Sequence, residues 1–331
     1  MTGARVLVTG GAGMIGSNLV KRLVALGHDV TVVDNLRRGR LKNLELEDGT
    51  PAIDVATRFH RLDLAVAGSF EHAFPGNDIV FHLADVVGGI DYVFHHQGRL
   101  FHENLLINTN VIAAARAIPL KGFIYVGTAC SYPAHMQAKA GGPLLREDDA
   151  YPANPESAYG WSKLMGEYEA ELMEAETGIP VSVLRLHNVY GSPCDYDPVS
   201  GQVIPSLIRK AIRYPVEPFV VWGSGRQGRS FVHVDDVVDA LVSAMDCGLG
   251  QGVIQIGTET CTSIADIARL VVSASRKPIE ITFDPSRPEG DHARAADCTR
   301  AAKRLGWHPR VPLPDGIQRL YAWIERDLRE A

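Results

Sequence analysis

Tyr159-Gly160-Trp161-Ser162-Lys163 sets a phenol and an ammonium four residues apart. On a helix this spacing puts both on one face. The ammonium favours the phenolate and draws the phenol's pKa down from its reference of about 10, giving a base usable near neutrality. Far upstream, Gly10, Gly13 and Gly16 form a G-x-x-G-x-x-G loop between the apolar run 5–9 and a helical pattern. Without side chains, the backbone turns tightly and approaches a pyrophosphate at the helix N-terminus. The next apolar run, 30–33, closes on Asp34. A carboxylate there accepts hydrogen bonds from both hydroxyls of an adenosine ribose and repels a 2′-phosphate, which favours NAD over NADP. Arg37 and Arg38 follow and soften that repulsion. Asp63-Leu64, just past a further strand, suits the adenine amino group, unless Asp63 is a helix N-cap. With a dinucleotide in place, Lys163 is also suited to the nicotinamide ribose.

These groups need a scaffold that gathers distant loops. Strand, helix and strand succeed one another at the start: 5–9, then Leu19, Val20, Leu23, Val24 and Leu26 at helical spacing, then 30–33. Further strands are expected at 58–62, 79–83, 122–126, 181–186 and 253–256, with long helices at 101–117 and 157–177. This alternation predicts an α/β fold, a doubly wound parallel sheet of the Rossmann type, with ligands at the carboxyl ends of the strands. Residues 191–228 are rich in Gly, Pro and aromatics and carry one clear helix, at 205–213; another follows at 232–245. The expected division is therefore 1–185 plus 229–260 for the dinucleotide, and 186–228 plus 261–331 for a smaller, C-terminal substrate lobe.

Composition narrows the function classes. The 331 residues hold 46% hydrophobic and 22% charged side chains, enough apolar material for a large core and too much for a disordered chain. The formal net charge is −6, so no basic surplus calls for nucleic acid or an anionic membrane. No apolar run approaches the ~20 residues of a membrane span, and the first residues do not read as a signal peptide. Cys130, Cys194, Cys247, Cys261 and Cys298 are odd in number, scattered, and without metal-ligand spacing. A reducing cytoplasm is the expected location, and no metal is expected.

Across nearly its whole length the sequence resembles the extended short-chain dehydrogenase/reductase family, the sugar-nucleotide epimerases and dehydratases. The residues carrying the resemblance are Thr9 to Gly16, Asp34-Asn35-Leu36, His82-Leu83-Ala84, Tyr159 to Lys163, Asn188-Val189-Tyr190-Gly191, Arg229 to Asp236 and Leu305-Gly306-Trp307. The resemblance implies an NAD site built from Gly10, Gly13, Met14, Ile15, Gly16, Asp34, Asn35, Leu36, Arg38, Asp63, Leu64, Leu83, Ala84, Tyr159 and Lys163. It implies that Tyr159 takes a sugar hydroxyl's proton while NAD takes the hydride, with Thr128 sharing the proton. It also implies a homodimer, with the helices 101–117 and 157–177 of each subunit forming a four-helix bundle.

Residues 127–133, Gly-Thr-Ala-Cys-Ser-Tyr-Pro, sort within the family. Dehydratases are similar here to Thr-Asp-Glu, and Ala129 stands at their acid position, where it has no proton to give a leaving hydroxyl. Cys130, at their base position, resembles the Ser-Ala-Cys-x-Tyr-Pro of the GDP-mannose 3,5-epimerase branch. A thiol, with a reference pKa of about 8.5, can move a proton at a carbon beside a transient C4 ketone; otherwise Cys130 is a small packed residue at a strand end. The same branch is matched by Gly88-Gly89, Arg185 to Gly191, Trp222 to Phe231 and Pro288-Glu289-Gly290 before Arg294. Thr128, Ala129, Cys130, Asn188, Lys210, Arg229 and Arg294 line up with its substrate positions, the two arginines suiting a diphosphate. One departure stands out: Val203 occupies the place of that branch's second acid/base, a lysine. His187, His135, Tyr196 or Asp195 is then needed as a substitute, or the enzyme inverts a single centre. The expected function is NAD-dependent epimerisation of a nucleotide-diphosphate sugar through a 4-keto intermediate. Plain C4 epimerisation is the alternative, and dehydration or net reduction lies further off.

Overall fold

In the computed structural model, which describes residues 3–138, 142–198, 200–287 and 292–330, a parallel sheet runs through the centre. Its first six strands are β1 (Arg5–Thr9), β2 (Asp29–Asp34), β3 (Phe59–Arg61), β4 (Ile79–His82), β5 (Gly122–Thr128) and β6 (Val181–Leu186). Four short strands follow, β7 (Asn188–Tyr190), β8 (Val220–Trp222), β9 (Gly228–Arg229) and β10 (Phe231–His233), and then β11 (Gly252–Ile256) returns to the sheet edge. The order is β3-β2-β1-β4-β5-β6-β11, every pair parallel. This is the doubly wound arrangement, with its reversal of strand order between β1 and β4. Thr9 pairs with His82 and His82 with Tyr125, so β1 and β4 end level, β5 runs on to Thr128, and the following loops meet at one edge.

Alternation along β1 divides the core. Val6 and Val8 pack with Leu19, Val20 and Leu23 of α1 (Met14–Ala25), while Leu7 packs on the opposite face. Between β2 and β5 lie α2 (Val55–Arg58), α3 (Ile90–His95) and α4 (Gln97–Arg116); α5 (Ala158–Thr177) follows β5. α4 and α5 pack together and cover the Leu7 face through Ile107, Val111, Ala170 and Met173. Both faces are thus covered, which is why the strands read as unbroken apolar runs. α4 begins four residues before the expected start, because Gln97, Gly98 and Arg99 extend it without contributing to its apolar face.

The second core joins α6 (Val203–Arg213), α8 (Ile264–Ser275) and α10 (Leu313–Glu330) around Phe219, Val221 and Phe231. β8 pairs with β13 (Thr282–Asp284), and β9 with β12 (Thr262–Ser263). α7 (Val234–Ser243) packs beside α1. α9 (Thr299–Leu305) lies on β11, and Ala296, Cys298, Ala301, Leu305 and Trp307 bury with the sheet's core rather than with this second one. Residues 288–290, quoted above for their resemblance, lie outside the described residues. Among the described residues no helix is long and apolar enough to cross a membrane.

Candidate active site

The loops at the carboxyl ends of β1, β4, β5 and β6 enclose one side of a cavity of about 2010 Å³, and residues from 188–198 and 200–231 enclose the other. Tyr159 and Lys163 sit in the first turns of α5, whose start is fixed by the Ser157 hydroxyl accepting from the Gly160 amide. Both line the cavity and both are otherwise buried. Their electrostatics differ from the expectation. The Tyr159 hydroxyl donates to Asp85 Oδ2 at 2.9 Å, and Lys163 Nζ lies 3.8 Å from the same oxygen. Burial, reinforced by Asp85, pushes the Tyr159 phenol well above its usual pKa, while burial draws Lys163 down. Desolvation and the carboxylate both act against the ammonium's effect on this phenol.

A buried chain of side chains sets the position of this group. Thr9 Oγ1 lies 2.8 Å from His82 Nδ1 and accepts from the Leu83 and Ala84 amides; His82 Nε2 lies 3.1 Å from Asn108 Oδ1. Asn108 Nδ2 donates to the Ser162 carbonyl on α5. Burial lowers His82 to a pKa of about 3, so the ring is neutral. The amide's donation fixes its oxygen as the acceptor of Nε2–H, leaving Nδ1 to accept from Thr9. β1, β4, α4 and α5 are thereby tied at the point where Asp85, Tyr159 and Lys163 meet.

Cys130 is half-buried, directly after β5. Its amide donates to Thr128 Oγ1 at 3.2 Å, and its Sγ accepts from Arg294 Nη1 at 3.1 Å. Arg294 also donates to Gln137 Oε1 at 2.5 Å, so its guanidinium is committed to the cysteine side of the cavity. The Arg294 backbone pairs with Gly228 and Ser230, and between them Arg229 donates to the Gly228 carbonyl. Lys210 donates to the Val220 carbonyl at 2.6 Å, and burial lowers its pKa. Asn188, Gly88 and Gly89 line the cavity, and a Cβ on Gly89 would stand 3.1 Å from the Gly201 carbonyl oxygen. Ala129 is the exception among the expected site residues. It packs with Tyr132, Leu145 and Ala150, away from the cavity. Val203, the first residue of α6, does line the cavity.

Of the four substitutes considered for the missing lysine, His187 and Asp195 line the cavity, while His135 and Tyr196 do not. Burial holds His187 neutral, at a pKa of about 3, with Nε2 against Gln255 Oε1 at 3.1 Å. Asp195 accepts from the Ser200 hydroxyl and pairs with Arg38 at 3.5 Å. Tyr196 donates to Asp327 and is pushed up to about 12 by burial and that carboxylate.

On the β1–β2 side, Gly10 has a φ of +69°, and a Cβ on Gly16 would stand 2.2 Å from the Gly10 carbonyl oxygen. Gly13 caps α1 without a side chain, leaving its first-turn N–H groups for a ligand. Asp34 accepts the Ala12 and Leu36 amides at 3.0 and 2.7 Å; burial still raises its carboxyl above the usual range. Arg38 donates to the Val87 carbonyl, and Arg37 pairs with Glu103, so both arginines are engaged elsewhere. Asp63 accepts from the amide two residues on, at Ala65; it forms a turn there and caps no helix. Met14, Ile15, Asn35, Leu36, Leu64, Leu83 and Ala84 complete this wall.

Residues 6–257 match the pattern of the family described as "NAD dependent epimerase/dehydratase family". The chain belongs to that family. The GDP-mannose 3,5-epimerase of Arabidopsis thaliana is 30% identical over 326 residues, covering 98% of this chain and 83% of its own. The UDP-glucose 4-epimerase of Thermotoga maritima, solved with UDP-glucose, superposes with a TM-score of 0.84 at 28% identity, over 98% of this chain and 99% of that one. The UDP-glucose 4-epimerase of Thermus thermophilus, solved with NAD, superposes with a TM-score of 0.82 at 27% identity, over 97% and 98%. NAD is the cofactor of the epimerase/dehydratase family, and the first wall of the cavity fits a dinucleotide: the missing Cβ atoms of Gly10 and Gly16 let the turn after β1 close tightly on itself and against Ala84, which presents the uncapped start of α1 beside the Asp34 carboxylate. Asp85 and Gln137 escaped the sequence reading. An acidic residue at the carboxyl end of a parallel strand was the available signal for Asp85; nothing local marks Gln137.

Proposed function

We propose that the protein is an NAD-dependent epimerase of a nucleotide-diphosphate sugar, working through a transient 4-keto sugar, with Cys130 moving a proton at C5, C3 or both. The observation that carries this reading is the pairing of Cys130 Sγ with Arg294 Nη1, 3.1 Å, in the same cavity as Tyr159 and Lys163. A thiol that merely filled space would not need a buried guanidinium brought to it from 164 residues away. The charge-assisted hydrogen bond holds the sulfur toward the cavity.

When bound, NAD accepts the hydride of the sugar's C4 carbon and later returns it. Tyr159 exchanges a proton with the C4 hydroxyl, Thr128 stands near that hydroxyl, and Lys163 holds the nicotinamide ribose. Gly10, Gly13, Met14, Ile15 and Gly16 take the pyrophosphate, Asp34 the adenosine ribose, and Asp63 and Leu64 the adenine. A C4 ketone acidifies the C3 and C5 hydrogens, and Cys130 removes and returns a proton there. Gly88-Gly89 and Asn188 border the sugar; Arg229 and Lys210 serve the nucleotide diphosphate. The sheet unit 1–185 plus 229–260 holds NAD, and 186–228 plus 261–331 supplies the sugar-nucleotide side, with 296–307 riding on the sheet. We further propose a homodimer through α4 and α5, and a cytoplasmic location suited to five unpaired cysteines.

Val203 favours a second reading. No proton comes from a valine on the far wall, so plain C4 epimerisation, which needs only Thr128, Tyr159 and Lys163, is the alternative. The likeness to UDP-glucose 4-epimerases supports it as well. Dehydration is disfavoured by Ala129, which has no acid group and faces away. Net reduction needs an exchangeable cofactor, and NAD that co-purifies counts against it. The test is incubation with GDP-, UDP-, dTDP-, ADP- and CDP-sugars in deuterium oxide, followed by NMR. Deuterium at C3 or C5 supports the Cys130 reading. Inversion at C4 without ring deuterium transfers the assignment to a 4-epimerase.

A further inference from the structure

Asp85 belongs to none of the motifs, yet it is clamped on both sides. The Leu83 and Ala84 amides donate to Thr9 Oγ1, and the buried Asn104 side chain takes the Val86 amide at 2.7 Å and donates to the Val86 carbonyl at 2.9 Å. Between these anchors the carboxylate meets Tyr159 Oη at 2.9 Å and Lys163 Nζ at 3.8 Å. A carboxylate held this firmly against the site's phenol is preorganised to receive its proton.

We infer that Asp85 is the terminal proton acceptor of the oxidation step, acting through Tyr159. The inference rests on the proposed role of Tyr159. As the C4 hydroxyl gives its proton to Tyr159 Oη, the tyrosine's own proton passes along the 2.9 Å hydrogen bond to Asp85 Oδ2. The sugar O–H and C–H bonds break and a C=O bond forms; the C–H electron pair leaves as hydride to the family's NAD. Tyr159 is neutral before and after, and Asp85 goes from carboxylate to carboxylic acid. The return step reverses each transfer. A phenol that burial keeps protonated is a poor free base, but it conducts a proton well when an acceptor waits behind it. Asp85 acts here through Tyr159, so it is a positioning and proton-holding residue. The titratable groups around the pair are Lys163 and Glu167 on α5, Tyr125 on β5, Cys130 after it, and His82 on β4.

The first test needs no substrate. The ultraviolet tyrosinate signal of Tyr159, isolated by subtracting Tyr159→Phe, is titrated in the ligand-free protein. Asp85→Asn is expected to lower its midpoint by about one pH unit or more; an unshifted midpoint overturns the pairing. The second uses whichever sugar nucleotide of the panel turns over. Asp85→Asn is expected to lower kcat about 100-fold, leave KM within a few-fold and erase the acid limb of the pH profile. Asp85→Glu, which keeps a carboxylate, is expected to retain that limb. A wild-type proton inventory in mixed water and deuterium oxide should curve, for two protons in flight, and become linear in Asp85→Asn. An Asn variant with wild-type kcat, or one that keeps the acid limb, overturns the inference. A panel with no turnover sinks the proposed function alone, because the titration still decides whether Asp85 governs Tyr159.

Discussion

Cys130 and Tyr159 divide the proposed chemistry between two atoms, and single substitutions separate them. Tyr159→Phe removes the hydroxyl that exchanges with the sugar, so oxidation and all solvent exchange should stop. Cys130→Ser should leave oxidation intact, detectable as transient nicotinamide absorbance, while deuterium entry into the ring falls about 100-fold, because a serine hydroxyl is a far weaker acid than a thiol. Full activity of Cys130→Ser with no ring deuterium would make the cysteine a packing residue. Tyr159 and Lys163 were legible in the sequence because four residues on a helix fix their geometry locally. Asp85 and Arg294 were not legible in these roles. Their partners come from 74 and 164 residues away, and only the folded chain brings them together. The tyrosine's raised pKa was equally hidden, since desolvation depends on what covers a residue and not on its sequence neighbours.

Among the elements, the turn from β1 into α1 has the least freedom. Gly16→Ala would put a Cβ 2.2 Å from the Gly10 carbonyl oxygen and 2.7 Å from Gly11 Cα, both backbone atoms that cannot swing aside. The expected result is a loss of about 1–3 kcal/mol of stability with NAD binding reduced, read by denaturant unfolding and calorimetry. Gly27→Ala offers a control for backbone strain without a clash: its φ is +83° and nothing lies near its Cβ. It should keep NAD affinity. The long strands were readable from apolar runs because they are covered on both faces. The two- and three-residue pairings β7–β10, β8–β13 and β9–β12 were not, since so few residues carry no periodicity and register comes from the chain around them. Cys298 and Trp307 likewise gave no hint that they join the sheet's core.

For the whole molecule, two buried neutral histidines set an acid limit. His82 and His187 both have folded pKa values of about 3, below the unfolded reference of about 6.5. Between those values the unfolded chain binds more protons, so stability falls as pH falls. Together they should remove about 4 kcal/mol between pH 7 and pH 5, measured as the difference in unfolding free energy; a flat profile would refute their neutrality. The proposed dimer has a separate signature. Leu106 on α4 and Met165, Tyr168 and Leu172 on α5 are exposed in the single chain, an apolar stripe on the two packed helices. Light scattering at micromolar concentration should give twice the chain mass, and a monomer would remove the bundle from the proposal. One contact carries a kinetic consequence. Arg38, beside the dinucleotide wall, reaches Asp195 on the opposite bank, with both side chains partly open to water. A strap of this kind governs escape more than affinity: what sits deep in the cleft leaves only after the pair parts. Such half-exposed charges are weakened by added electrolyte, so residence time becomes a function of ionic strength. Nicotinamide should survive gel filtration in dilute buffer and wash out in molar salt, and Asp195→Asn should abolish that difference.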